Sequence, residues 1–289
     1  MERSTLKRIL AGIDASSYAS SVCELAAGAA TRLSASVELL HVVQRKDAVA
    51  ARKDLSGAIG LGVKSELLEE LTQIDEAEGK LAISDGRVLL AQAEKLLVAG
   101  GVSDVNRLHR HGSIVDTIIE REASADLVVI GKRGATSEFD SDHIGSSIES
   151  VVRASVKPVL IASRKIQPPN IMIVALDGSS ASLKALDFVI ASPLFTGMQL
   201  HLVAAGPKGT ADKSWFVKAY SKVVDRSPSC IIHIADGAPQ KVLGDYMSAR
   251  RDAILVMGAY GHSALRTLIF GSTTTTVLRT VRAPVLLVR

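Results

Sequence analysis

Apolar runs of strand length alternate along the chain with segments in which apolar residues recur at helical spacing. This alternation is typical of parallel β-α-β units joined by right-handed crossovers. In the first half we predict strands near residues 7–13, 36–43, 104–109, 126–131 and 157–162. In the second half we predict strands near residues 171–176, 198–204, 230–234, 253–258 and 284–288. The pattern therefore predicts an α/β protein with five strands in each half.

The two halves repeat the same landmarks in the same order. The first strand of each half ends in aspartate, at Asp14 and at Asp177, and a serine-rich segment follows both. Leu-Val-Val-Ile-Gly in the first half corresponds to Ile-Leu-Val-Met-Gly in the second, and each half closes with a Pro-Val-Leu strand. We therefore divide the chain into domains of residues 1–166 and 167–289.

The connection after the second strand is much longer in the first half than in the second. Within it, residues 63–78 and 86–99 show helical periodicity, with Leu67, Leu71 and Ile74 on one face. We expect a helical hairpin or lid. The alternative is an arm that packs against the other half or against a second chain.

A glycine-rich pattern in the second half has the form of a phosphate-binding loop. Gly258 ends an apolar run, Gly261 follows after two residues, and nine residues later Gly271, Ser272 and Thr273 open a predicted helix. Glycine lets the main chain approach a ligand closely, and the unpaired N–H groups of a helix N-terminus suit an anion. A glycine turn that leads into a serine-capped helix is the alternative explanation.

Together, the repeat and this loop resemble a tandem universal stress protein, in which two such domains are fused over nearly the whole chain. The resemblance implies two doubly wound, Rossmann-like, five-stranded parallel sheets of order 3-2-1-4-5. It also implies that the last strands, which begin after Pro158 and Pro284, pair with each other as an intramolecular pseudo-dimer. By resemblance, the second half binds ATP, with or without Mg²⁺, through Asp177, Ala205, Met257, Gly258, Gly261, His262, Gly271, Ser272 and Thr273.

Two of these residues would recognise the nucleoside. A carboxylate at Asp177 can accept hydrogen bonds from an adenine amino group or a ribose hydroxyl, although N-capping of the next helix is the alternative, for which Ser179 and Ser180 are available. The resemblance places the main chain of Ala205 at the adenine edge. Ala204 stands before it where histidine is usual in the family.

The first half departs from the pattern. Ten residues rather than nine separate Gly134 from Gly145, and Glu138, Asp140 and Asp142 stand where phosphates would pass. Because like charges repel in a partly desolvated site, we expect this half to bind nucleotide weakly or not at all. His109 and His111 end the third strand, but we find no third ligand nearby that would complete a metal site.

The composition of the chain argues against two classes of function, nucleic-acid binding and membrane association. The chain is 47% apolar and only 3% aromatic, and its net charge of +4 is spread along the sequence, which argues against nucleic acid as a partner. It lacks an apolar run of the roughly 20 residues that span a bilayer, and its start lacks a signal-peptide core, so we expect a cytoplasmic protein without membrane association. We expect Cys23 and Cys230 to be free thiols.

The function expected is that of an ATP-binding regulatory protein of the stress response. The motif Gly-x-x-x-x-Gly-Lys-Ser/Thr of P-loop enzymes does not occur, so hydrolysis should be slow or absent. The expected partners are an adenine nucleotide, a second copy in a homodimer and an unidentified protein. The alternative is an interaction module that works without nucleotide. An adenylating enzyme is a weaker alternative, because it would need a Ser-Gly-Gly-x-Asp-Ser loop.

Overall fold

A single ten-stranded sheet organises the computed structural model, which describes residues 8–43, 61–134, 145–206, 214–224, 229–259 and 272–289. The strands are β1 (Arg8–Gly12), β2 (Ser36–Val43), β3 (Val105–His111), β4 (Leu127–Gly131), β5 (Val159–Ala162), β6 (Ile171–Leu176), β7 (Gln199–Gly206), β8 (Ile231–Asp236), β9 (Ala253–Gly258) and β10 (Val285–Val288). The described α-helices are α1 (Ala19–Leu33), α2 (Leu61–Ala99), α3 (Ile114–Glu122), α4 (Ser146–Ala154), α5 (Ser180–Ala191), α6 (Ser214–Val224), α7 (Pro239–Ser248) and α8 (Ser272–Thr280).

The strand order confirms the predicted topology. The sheet runs β3-β2-β1-β4-β5-β10-β9-β6-β7-β8, which is the order 3-2-1-4-5 followed by its mirror arrangement. All neighbours within each half are parallel, whereas β5 and β10 pair antiparallel, with Leu160 opposite Leu286. Each half thus covers the other's open edge, and the expected intramolecular pseudo-dimer is confirmed.

Burial explains why these segments form strands. The central strands β4, β5, β9 and β10 have few or no exposed residues, as expected for a parallel sheet covered by helices on both faces. The outer strands β3 and β8 expose about half of their residues and extend two residues past the predicted ends, to His111 and Asp236. Both outer strands have one open edge, where polar residues are tolerated. The polar residues at the two strand ends interrupt the apolar pattern from which the strands were predicted.

The helices form a layer on each face of the sheet. One layer holds α1, α2, α5 and α6, and packs on a core cluster that includes Leu39, Leu97 and Leu202. The opposite layer packs on a second cluster that includes Ile130 and Leu255. The first cluster contains residues of both halves, since β5 and β10 join them at the centre.

The predicted helical hairpin is wrong. Residues 61–99 form one continuous helix of 39 residues, α2. Gly86 lies in the interior of this helix, and its missing side chain lets α2 approach the sheet: a Cβ there would lie 2.6 Å from Nε2 of His109 and 2.7 Å from Cδ2 of His41. The glycine therefore permits close helix-to-sheet packing instead of ending the helix.

Basic side chains join the halves by reciprocal contacts at helix C-termini. Lys132 follows β4 of the first half, and its ammonium group donates to the carbonyl oxygen of Val281 (2.7 Å), just past the end of α8. Conversely, Arg289 follows β10 of the second half and donates to the carbonyl oxygens of Val152 (3.2 Å) and Arg153 in α4. Cations suit the negative end of a helix, so each basic side chain caps, across the interface, the helix that it contacts.

Candidate nucleotide site

The carboxyl edge of the second half opens at the expected switch point between β6 and β9. Their pairing stops at Val174 opposite Val256, although β6 continues to Leu176 and β9 to Gly258. The two strand ends therefore separate. In a doubly wound sheet this is the crevice in which ligands bind.

Asp177 stands at the mouth of this crevice in a fixed orientation. Its carboxylate accepts a hydrogen bond from the N–H of Ser179 at 2.9 Å, and its own N–H donates to the hydroxyl of Ser182 at 3.4 Å. Loss of solvation by burial raises the pKa of Asp177, but hydrogen bonds from Ser179 and Ser182 outweigh this effect and lower the pKa below its ordinary value. The carboxylate is exposed and ionised at neutral pH, so it can accept hydrogen bonds from a ligand.

Ser179, rather than Asp177, caps the next helix. The Ser179 hydroxyl accepts from the N–H of Ser182 at 3.2 Å, in the geometry of an N-cap of α5. The capping alternative that we considered for Asp177 is thus met by a neighbouring residue. The Asp177 carboxylate is therefore not the cap of α5.

An aromatic side chain that the sequence reasoning missed packs against Gly178, the residue that follows Asp177. Gly178 has a positive φ of 80°, and a Cβ on it would lie 2.9–3.1 Å from the indole ring of Trp215 in α6. Only glycine fits here, both because of this backbone conformation and because of the ring above it. Trp215 is the single tryptophan of an aromatic-poor chain, and that scarcity was the one available signal.

Gly258 packs against protein backbone, which its assignment as a ligand contact did not foresee. A Cβ on Gly258 would lie 2.3–2.5 Å from the carbonyl carbon and oxygen of Ala181 and from the nitrogen of Ser182. The first turn of α5 therefore rests directly on the end of β9. This contact holds Ser182, and through it Asp177, in position at the crevice.

Ala205 and Met257 lie near the ends of β7 and β9, the two strands that flank β6 in the sheet. The pairing of β7 with β6 stops at Ala204, whereas its pairing with β8 runs on to Gly206, so the edge of Ala205 that faces β6 extends beyond the last strand pair. This is the edge that a purine would need. The Met257 side chain is buried in the core, so that Met257 can offer a ligand only its main chain.

The phosphate end of the predicted site is partly described. Helix α8 begins at Ser272, as predicted, and because it connects the parallel strands β9 and β10 its N-terminus lies at the carboxyl edge of the sheet. Gly261, His262 and Gly271 lie outside the described residues, as do the side chains of Ser272 and Thr273.

In the first half, the equivalent positions differ in a way that the sequence reasoning did not find. Asp14 accepts from the N–H of Ser16 at 3.1 Å, as Asp177 does from Ser179. However, the helix equivalent to α8, α4, carries Glu149 in its first turn, where α8 has threonine. A carboxylate there neutralises the positive end of the helix and repels a bound anion. The acidic residues of the preceding loop, Glu138, Asp140 and Asp142, lie outside the described residues.

A histidine group lies at the carboxyl ends of β2 and β3. The ring centroids of His41 and His109 are 5.3 Å apart, and those of His109 and His111 are 5.8 Å apart. Burial first, and then the neighbouring charges of His41, His111 and Arg87, lower the pKa of His109. Within the described part of the chain, no group of three or more potential ligands has the arrangement needed to hold a metal ion.

The cysteines are free in the structure, as expected: Cys23 is buried in α1, and Cys230 is half-buried just before β8. Burial, with a smaller effect from Glu24, raises the pKa of Cys23 to about 12. None of the helices in the described ranges is both long and apolar enough to cross a membrane.

Comparison with known proteins agrees with this architecture. The chain matches the Universal stress protein family twice, over residues 5–163 and 170–289. Universal stress protein Slr1230 of Synechocystis is 31% identical over 290 residues, which cover 98% of this chain and 100% of that protein. Universal stress protein Rv1996 of Mycobacterium tuberculosis is 22% identical, over 97% of this chain and 94% of its own length.

Solved structures show the same fold. The crystal structure of a universal stress protein from Archaeoglobus fulgidus matches with a TM-score of 0.71 and 21% identity, over 98% of both chains. A crystal structure of the protein PA1789 from Pseudomonas aeruginosa matches with a TM-score of 0.61 and 19% identity, over 98% of this chain and 92% of that one. The fold and the site thus define a doubly wound α/β protein with two repeated units. The chain belongs to the universal stress protein family.

Proposed function

We propose that this protein binds one adenine nucleotide, ATP, in its second half, and that it acts as a cytoplasmic regulator in the stress response. The observation that supports this most strongly is the crevice between β6 and β9, with a fixed, ionised Asp177 on one side and the N-terminus of α8 at the same edge of the sheet. The two groups suit opposite ends of a nucleotide, since a carboxylate accepts from the nucleoside and a helix N-terminus binds phosphate.

Different site residues would contact different parts of the nucleotide. Asp177 and the exposed main-chain edge of Ala205 would hold the nucleoside, with the main chain of Met257 and Gly258 beneath. The phosphates would lie against Gly261, His262, Gly271, Ser272 and Thr273. The sequence from Gly258 to Arg282 has no acidic residue, so that no side chain there repels a polyphosphate.

The same composition argues for binding rather than catalysis. Without a carboxylate in that stretch, no acidic side chain there would orient an attacking water. ATP could still bring Mg²⁺ on its own phosphates. We therefore assign the two domains different roles. The first domain, residues 1–166, is a structural or partner-binding half. The second domain, residues 167–289, binds the nucleotide.

Titration calorimetry tests this assignment, combined with mass spectrometry of small molecules released from the purified protein. We expect one ATP or ADP per chain. Gly261→Val places a branched side chain in the phosphate loop and should abolish binding, whereas the matched change in the first half, Gly134→Val, should leave the stoichiometry at one. Two nucleotides per chain, or loss of binding only in Gly134→Val, would contradict the proposal.

An interaction module without nucleotide is the second candidate. The large apolar side chains exposed on α2, such as Leu81, favour it, because they suit contact with another protein surface. A protein that is purified empty and gives no heat with ATP would support this reading over the first.

A further inference from the structure

The outer side of α2 carries an apolar stripe that faces away from its own domain. On the inner side, Gly86, Leu90, Ala93 and Leu97 are buried against the sheet and α1. Leu81 precedes Leu90 by nine residues, or about two and a half helical turns, and so points the opposite way. The large side chains of this outer side are exposed: Ile74 by 54%, Leu81 by 62% and Val88 by 54%.

These residues follow a heptad repeat. Ile74, Leu81 and Val88 recur at intervals of seven, and the small residues Ala77 and Ser84 lie three positions after the first two. The a and d positions of a heptad repeat form the seam between two supercoiled helices, and small residues at d let the two helices come close. We call Ile74, Ala77, Leu81, Ser84 and Val88 the outer stripe of α2.

The charges beside the outer stripe determine which orientation a partner helix could take. Lys80 and Arg87 occupy g positions, and Asp85 occupies an e position, all exposed. In a parallel pair, each g residue meets the e residue five positions later on the other helix, so that Lys80 meets Asp85 of a second copy. In an antiparallel pair, g positions face each other and Lys80 would meet Arg87. Opposite charges are therefore matched only in the parallel pair.

We propose that the outer stripe of α2 is the seam of a parallel, two-stranded coiled coil with a second copy of this chain. The pairing is self-complementary, which a two-fold homodimer requires. It also uses a surface other than the last strand of each half, since β5 and β10 already pair with each other within the chain. This inference does not depend on the proposed nucleotide function.

Sedimentation velocity over a dilution series tests the dimer. We expect the full chain to reach twice its mass of 30.5 kDa. Leu81→Glu puts two carboxylates against each other in the seam and should raise the dimer dissociation constant at least about a hundredfold. Leu96→Glu changes another exposed leucine of α2, at 47% exposure but one position after the a position, and should leave the dimer intact.

The charge pairs test the orientation. Lys80→Glu should weaken the parallel dimer, and the double change Lys80→Glu with Asp85→Lys should restore it. In an antiparallel dimer, Lys80→Glu would instead face Arg87 and strengthen association. In a chain with Cys230→Ser, Leu81→Cys should crosslink on mild oxidation, because equivalent a positions face each other in a parallel pair.

Three results would overturn the proposal. They are a wild-type chain that stays monomeric at every concentration, a dimer that survives Leu81→Glu, and a dimer that Lys80→Glu strengthens. Circular dichroism and thermal melts of each variant establish that the fold is retained, since exposed positions of α2 should tolerate these changes.

Discussion

The contact between Gly258 and α5 leads to a quantitative prediction for Gly258→Ala. The new Cβ would lie 2.3 Å from the carbonyl carbon of Ala181, against about 3.4 Å for ordinary contact, so that α5 would have to move by about 1 Å. The obstacle is backbone, which cannot turn aside as a side chain can. Overpacking of this kind costs up to about 3 kcal/mol, and the loss of glycine freedom in the unfolded chain returns about 1 kcal/mol.

We therefore expect Gly258→Ala to destabilise the protein by about 2 kcal/mol, measured by urea unfolding. Gly244 is the matched control, because it lies in helix α7 of the same half and a Cβ on it would meet nothing within 4 Å. Gly244→Ala should stabilise by about 1 kcal/mol, as alanine is the better helix former. Because α5 also holds Asp177 through Ser182, Gly258→Ala should weaken ATP binding while Gly244→Ala should not. Equal stability of the two variants would refute the packing argument.

Three further predictions concern buried charge and the first half. Burial, and then Arg133 and Arg282, lower the pKa of Lys132 to about 8, so the folded state binds fewer protons than the unfolded state above that pH. Stability should therefore rise by about 3 kcal/mol from pH 8 to 10.5 relative to Lys132→Met, in urea unfolding at each pH. Burial, and then Arg250, lower the pKa of His201, so stability should fall as pH drops below about 6.5, and His201→Gln should flatten that profile in thermal melts. Glu149→Thr, combined with neutral residues at 138, 140 and 142 and removal of one loop residue, should add a second ATP site in calorimetry.

Each of these predictions can fail clearly. Parallel pH profiles for wild type and Lys132→Met would mean that the ammonium group is not buried at the domain interface. If the stability of His201→Gln falls at acidic pH as much as that of the wild type, groups other than His201 cause the loss. If the Glu149→Thr loop variant still binds one ATP per chain, differences outside the loop and the first turn of α4 also prevent binding in the first half.

The sequence predicted the strands well because their signal is local. Buried runs such as Ile171–Leu176 and Ala253–Gly258 are apolar throughout, and the structure gives both the bounds predicted for them. The resemblance to a tandem universal stress protein then implied the order of strands and the pairing of β5 with β10. The outer ends of β3 and β8 were missed because His111 and Asp236 are exposed polar residues there.

The errors and omissions concern contacts between distant segments. Residues 63–78 and 86–99 were expected to form a helical hairpin, but they belong to one helix, in which the role of Gly86 depends on His41 and His109 in strands of the sheet. Trp215 meets Gly178 across 37 positions, and Lys132 meets Val281 across 149, and no local pattern announces either contact. Asp177 was recognised by its place after a strand, but only the structure identifies Ser179 as the cap that leaves it available.

The pseudo-symmetry of the chain provides the most direct test of where nucleotide binds. Asp177 and Asp14 are equivalent carboxylates with equivalent serine partners, and the single tryptophan, Trp215, lies against Gly178, the residue that follows Asp177. We would titrate ATP against tryptophan fluorescence in wild type, Asp177→Asn and Asp14→Asn. Loss of a charge-assisted hydrogen bond costs about 1.5–3 kcal/mol, so Asp177→Asn should weaken binding roughly 10- to 100-fold while Asp14→Asn leaves it unchanged. Equal effects of the two substitutions, or an effect of Asp14→Asn alone, would contradict a nucleotide site in the second half.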